Sequence, residues 1–143
     1  MIANRSVPQC TVIPELAYPD VAAATDWLCG AFGFTVRLRI ADHRVQLNVG
    51  EGAVVVKDVG GPGSSEAPRA TDRSHSVMVR VEDVDRHYAH TTAFGARVVN
   101  PPQTYPFGER QYTVVDPGGH AWTFTQSVAD VAPEDWGGTS VTL

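Results

Sequence analysis

The sequence predicts an α+β fold made of two tandem βαβββ modules. Three observations carry this. A strand–helix–strand–strand–strand pattern runs from about residue 11 to 59. The same order returns from about 75 to 126. Between them, Gly60 to Ser74 is rich in Gly, Pro and Ser and has no apolar period, which marks a linker. A repeat of this kind is a stronger fold signal than any single motif.

In the first module, Thr11 to Tyr18 reads as a strand ended by Pro19-Asp20, with Asp20 placed to cap a helix. Val21 to Phe32 has helical spacing, with Ala24, Trp27, Leu28 and Ala31 on one face. Gly33 stands at the stop position, where left-handed φ is needed. Phe34 to Ala41 alternates, Val36, Leu38 and Ile40 against Arg37 and Arg39. Val45 to Val49 and Ala53 to Val59 are two further strands around a Gly50-Glu51-Gly52 turn.

The second module opens with the strand Ser76 to Val81, followed by a helix from Val84 to Phe94 with Gly95 as its stop. Ala96 to Val99 is a strand closed by Asn100-Pro101-Pro102. A hairpin follows, with arms Gln111 to Val115 and Ala121 to Gln126. Its turn is Asp116-Pro117-Gly118-Gly119, where proline sets φ and the two glycines permit positive φ. In the tail, 127–143, Pro133 can open a short helical turn near Trp136, which caps the core, a partner subunit or a ligand.

Composition narrows the function classes. A chain of 143 residues suits one compact domain. Its net charge of −5 argues against a nucleic-acid partner. No run reaches the length of a membrane span, and the first ten residues lack a signal-peptide core, so a cytoplasmic location is expected. Cys10 and Cys29 have no zinc spacing, and Cys29 is expected to be a buried thiol on the first helix. Neither a nucleophile–base pair nor a phosphate cradle is present, so no catalytic residue is assigned.

The stretches AYPDVAAATDWLCGAFGF, VMVRVEDVDRHYAHTTAFGARVV and TVVDPGGHAWTF, in this order, resemble the vicinal oxygen chelate superfamily. That family includes glyoxalase I, extradiol dioxygenases, and fosfomycin- and bleomycin-resistance proteins. The resemblance covers most of Thr11 to Gln126. It implies curved sheets around a cleft, with helices on the convex sides, and a homodimer.

Enzymes of the family hold a divalent metal with His, Glu or Gln side chains from the first and last strands of the modules. Register from the matching landmarks puts these positions at Ile13, Ser76, Thr123 and, with less certain register, near Val56. Aliphatic and neutral hydroxyl side chains make no such set, so neither metal nor cofactor is expected. His75 is one residue from a ligand position but would face away, and His120 is expected to bond turn backbone or solvent. His43, His87 and His90 are expected at the solvated surface.

Alternation puts Thr11, Ile13, Glu15 and Ala17, then Ser76, Met78 and Arg80, and finally Ala121, Thr123 and Thr125 on the cleft side; Trp122 and Phe124 face the core. Glu15 and Arg80 either pair with each other or orient a ligand. Tyr105 and Phe107, around Pro106, either stack on a flat ligand or pack beneath their loop or against a second subunit. The expected ligand-binding residues are Glu15, Met78, Arg80, Tyr105, Phe107, Gln111 and Thr123. The resemblance then points to a bleomycin-resistance-like binder that sequesters a large, partly aromatic natural product. The alternative is a glyoxalase-like metal-dependent lyase, isomerase or dioxygenase with an atypical ligand set, His75 and Glu15 among its members.

Overall fold

The computed structural model describes residues 2–59 and 74–141. The expected linker, apart from Ser74, lies outside the described residues. The chain has the predicted α+β architecture. The first module contains β1 (Glu15–Tyr18), α1 (Val21–Phe32), β2 (Thr35–Ile40), β3 (Arg44–Val49) and β4 (Gly52–Asp58). The second contains β5 (Val77–Arg80), α2 (Val84–Ala93), β6 (Arg97–Thr104), β7 (Glu109–Val115) and β8 (Ala121–Ser127). A 3-10 turn follows at Pro133–Trp136. The sheets repeat one topology, β1-β4-β3-β2 and β5-β8-β7-β6, with the first and last strands of each module parallel neighbours.

Two compact units result, and the turn Asp116–His120 belongs to the first of them. In that unit Leu16, Tyr18, Val45, Leu47, Val54 and Val56 are buried. The pleat sends these residues to one side of the sheet, together with the buried Leu28 and Ala31 of α1. In the other unit Tyr112, Val114, Trp122 and Phe124 form the equivalent apolar layer with Val84 of α2. Trp122, 0% exposed, is packing rather than a pocket wall.

Helix ends follow their sequence signals. Asp20 accepts a hydrogen bond from the Ala23 amide at 3.0 Å, and Gly33 closes α1 at φ +78°. Asp83 caps α2 through the Arg86 amide.

Four local expectations are corrected. β1 starts at Glu15, not Thr11, because Pro14 has no N–H to give the ladder; its carbonyl still accepts from Val55. The buried face of α1 carries Val21, Thr25 and Phe32 beside Leu28 and Ala31, while Ala24 and Trp27 are only half-buried. Thr25 can be buried because its hydroxyl donates to the Val21 carbonyl at 2.8 Å. β6 does not stop at Asn100 but runs through Pro101 and Pro102 to Thr104. It is an edge strand, and both prolines fall in a register break between Asn100 and Gln103, where no ladder partner is required. In the hairpin turn only Gly119 has positive φ, +91°. Gly118 is needed for space: a Cβ there would lie 2.4 Å from the Tyr18 ring.

Candidate functional site

The ladder decides which side chains share a face. Met78 stands opposite Thr123, Arg80 opposite Thr125, Thr113 opposite Thr123 and Gln111 opposite Thr125. Directly paired residues project to the same side of a sheet. Four of the expected ligand-binding residues, Met78, Arg80, Gln111 and Thr123, therefore occupy one face of the second sheet, the side away from Trp122 and Phe124.

Hydroxyls and amides tie this face together. Gln111 donates to Thr125 at 3.1 Å, Thr125 to Glu109 at 2.8 Å, and Arg80 to Ser127 at 2.5 Å. Thr113 and Thr123 share a bond of 2.9 Å. Hydrogen bonds from Ser127 and then Thr125 hold the Glu109 carboxyl below its ordinary range. Met78 is 61% exposed above this polar floor. The face combines preset polar groups with an adaptable apolar patch, the mixture that recognises organic ligands.

Aromatic side chains stand at one end of it. Tyr105 and Phe107 lie in the β6–β7 loop with rings stacked at 5.4 Å and 11°. Phe107 also meets Trp136 at 5.0 Å. The two rings pack on each other, and both remain half-exposed. Trp136 joins them because the tail is pinned at Gly108, whose carbonyl accepts from Val128 and Ala129. A Cβ on Gly108 would come within 2.4 Å of the Ala129 carbonyl, so only glycine admits the tail there. Sequence reasoning left Trp136 open; its one signal was a tryptophan fixed between Pro133 and Gly137.

Glu15 belongs to a different face. It stands opposite Val55, with Gln46 next across the first sheet. Its carboxylate is bonded by Arg44 and by Lys57, the latter at 3.4 Å. The Arg44 hydrogen bond first, then Lys57, holds its carboxyl below the ordinary range. The alternative of a Glu15–Arg80 pair is replaced: Glu15 takes Arg44 and Lys57, and Arg80 takes Ser127.

The metal positions also sharpen. Val56 is buried on the α1 side, so the residue across from Glu15 is Val55. With Ile13, Val55, Ser76 and Thr123 at the four positions, no anionic or imidazole donor is supplied, and the residues do not fit a chelated metal. Among the described residues no group of three His, Cys, Asp or Glu is placed to hold one. His75 is exposed and lies 3.4 Å from the Ser74 hydroxyl.

Two histidines differ from expectation. His120 is buried and bonds backbone, but the backbone is that of β1: its Nε2 lies 2.8 Å from the Ala17 carbonyl. His87 is not a solvated surface residue. Its ring packs 4.2 Å from Phe124, and Nδ1 bonds the Tyr112 hydroxyl. Burial pushes the Tyr112 phenol up to about 12. Cys10 and Cys29 are free thiols, and partial burial raises the pKa of Cys29.

A second concavity, about 340 Å³, lies on the helix side of the first unit between α1 and the hairpin turn. Pro19, Ala23, Trp27 and Pro117 line it. Helical spacing groups Trp27 with Leu28 and Ala31, so nothing in the sequence signals this concavity.

A model of the Glyoxalase/Bleomycin resistance protein/Dioxygenase superfamily matches residues 8–124. The chain belongs to this superfamily. Among solved structures, TioX from Micromonospora sp. ML1 is 39% identical over 82% of this chain and 98% of its own, with a TM-score of 0.70. A glyoxalase/bleomycin resistance protein/dioxygenase from Nocardioides is 19% identical over 100% of this chain and 92% of its own, at TM-score 0.67. Lactoylglutathione lyase from Agrobacterium tumefaciens is 18% identical over 83% and 94%, at 0.64; at that identity the likeness shows the superfamily fold alone. No curated protein matches the chain. Among the described residues no helix is long and apolar enough to cross a membrane.

Proposed function

We propose that this superfamily member is a non-catalytic binding protein that sequesters a large, partly aromatic small molecule, working as a homodimer in the cytoplasm. Members of the superfamily bind small-molecule ligands. The observation that carries the reading here is the open face of the second sheet. Its hydroxyl–amide floor (Thr113, Thr123, Gln111, Thr125) lies beside Met78, with the Tyr105–Phe107–Trp136 aromatics at one end. Such a surface offers a ligand hydrogen bonds and stacking, and its Glu109 carboxylate is engaged by Ser127 and Thr125. Protection against an antibiotic or another natural product is the role that fits tight binding without turnover.

Small molecules that co-purify with the protein, identified by mass spectrometry, supply the ligand. Titration of that compound should quench Trp136 fluorescence and return it chemically unchanged. Its conversion over time would overturn the proposal. A stoichiometric metal ion in protein purified without chelators, lost in His75→Ala, would replace it with a metal-dependent lyase, isomerase or dioxygenase.

A further inference from the structure

The first sheet carries a site of its own. On the face shared with Glu15, the Gln46 side chain is only 4% exposed although it is polar. Its Oε1 accepts from Arg37 at 2.5 Å, which locks the amide so that Nε2 points outward as a donor. The N-terminal segment meets these donors. Gln46 Nε2 donates to the Ser6 carbonyl at 2.9 Å. The Arg37 guanidinium donates to the Arg5 carbonyl at 2.9 Å and the Val7 carbonyl at 3.3 Å. The segment is held in a turn by Asn4, whose side-chain oxygen accepts from the Ser6 amide at 3.0 Å and whose carbonyl accepts from Val7.

We propose that the Arg37–Gln46 pair is a binding subsite for ligands that carry amide or ester carbonyls, and that Arg5–Val7 fill it as a displaceable occupant. Every acceptor these donors meet in the segment is a main-chain carbonyl, so recognition does not depend on the segment's side chains. Any molecule presenting two or three carbonyl oxygens at similar spacing meets the same donors. The segment is also not part of what defines the fold: the superfamily match begins at residue 8, and β1 only at Glu15. A buried amide such as Gln46 is costly to leave without an acceptor. The occupant therefore leaves readily only when another acceptor replaces it. A tethered segment acts at an effective concentration of roughly millimolar, which a competitor has to exceed.

This goes beyond the binding reading, which rests on the second sheet, and its test requires no knowledge of the ligand. The Arg5–Ser6 bond is a trypsin site inside the segment. Release of the N-terminal peptide from the full chain, followed by mass spectrometry, reports how often the segment leaves. Acetyl-Ala-Ala-Ala-amide, which carries carbonyls but no trypsin site, is the probe. At concentrations well above millimolar it should speed release from the wild-type chain. Arg37→Ala, which loses both charge-assisted hydrogen bonds to the segment, should release at least about tenfold faster than wild type and should ignore the probe. Arg37→Lys keeps the charge but loses the planar fork, and should also release faster. A wild-type rate that the probe does not change overturns the proposal, as does an Arg37→Ala rate equal to wild type with an unchanged melting temperature. Should Arg37→Ala fail to fold, the wild-type probe experiment still decides. Absence of any co-purifying compound would count against sequestration alone and leave these rates untouched.

Discussion

The two sheets share one topology and present opposite surfaces. The face of the first carries Glu15 bonded by Arg44 and Lys57, and its buried Gln46 is occupied by the chain's own N-terminal carbonyls. The face of the second carries threonines and Gln111, half-buried or buried, beside an exposed Met78. Strand order is the same in both, so the difference lies in the side chains on each face and in the N-terminal segment that covers the first. The βαβββ module supplies a platform, and the few residues that alternate onto its free side decide whether that platform is charged, covered or receptive.

The largest expected effect tests whether the second sheet's two sides are as distinct as they look. Trp122→Ala empties the core layer and should cost about 4 kcal/mol in urea unfolding, as large aromatic deletions do. Thr123→Val, its neighbour on the open face, should change stability by only about 0.5 kcal/mol. Comparable losses would mean that the open face is itself a packing surface.

The next test concerns the hairpin turn, which lies in the second module's sequence but packs with the first unit. Gly118→Ala drives a Cβ into the Tyr18 ring and should destabilise by about 2–3 kcal/mol, read from the same unfolding curves. Gly33→Ala, at φ +78° with nothing within 4 Å of its new Cβ, serves as the control for backbone strain without a clash. Its cost should be about 1 kcal/mol.

Third comes the buried polar cluster behind the second sheet. Tyr112 has a folded-state pKa raised from 10.0 to about 12 by burial, which favours its neutral form. Its contribution is whole below pH 10 and is lost as pH rises toward 12, by about 2–3 kcal/mol. Ultraviolet titration should show the late Tyr112 step, and Tyr112→Phe should remove both that step and this part of the alkaline loss.

The smallest effect distinguishes the two faces electrostatically. Glu15 and Glu109 both have folded-state pKa values lowered by their partners, Glu15 by Arg44 and Lys57, Glu109 by Ser127 and Thr125. Their stabilisation is present above the unfolded carboxyl pKa, about 4.3, and falls away as pH drops through the folded value. Glu15 is exposed and Glu109 half-exposed, so with solvent screening Glu15→Gln and Glu109→Gln should each flatten the acid limb by no more than about 0.5 kcal/mol. Added salt should shrink the Glu15 effect more, because its partners are charged.

Much of this was legible in the chain. The repeat, the helix cap at Asp20, the stop at Gly33 and the hairpin around Pro117 are local signals, because φ preferences and capping act within a few residues. Period-two alternation also put Met78, Arg80 and Thr123 on one side and Trp122 on the other before any pairing was known. The errors came where a local signal met a non-local circumstance. Pro101-Pro102 reads as a strand end, but on an edge strand at a register break it ends nothing. Gly118 reads as conformational freedom, but its reason is the ring of Tyr18, nearly a hundred positions away. His87 reads as surface because helix spacing cannot show that Tyr112 and Phe124 lie beside it.

What the sequence determined by itself is the order of elements and, along the regular strands β5, β7 and β8, the side to which the residues point, since both follow from backbone sterics and short-range periodicity. Which residues then meet was decided by tertiary structure. Glu15 took Arg44 and Lys57, Trp136 came to rest on Phe107, and the carbonyls of Arg5–Val7 settled on Arg37 and Gln46. Those meetings depend on strand register and on segments brought together from distant positions, and no local preference encodes them.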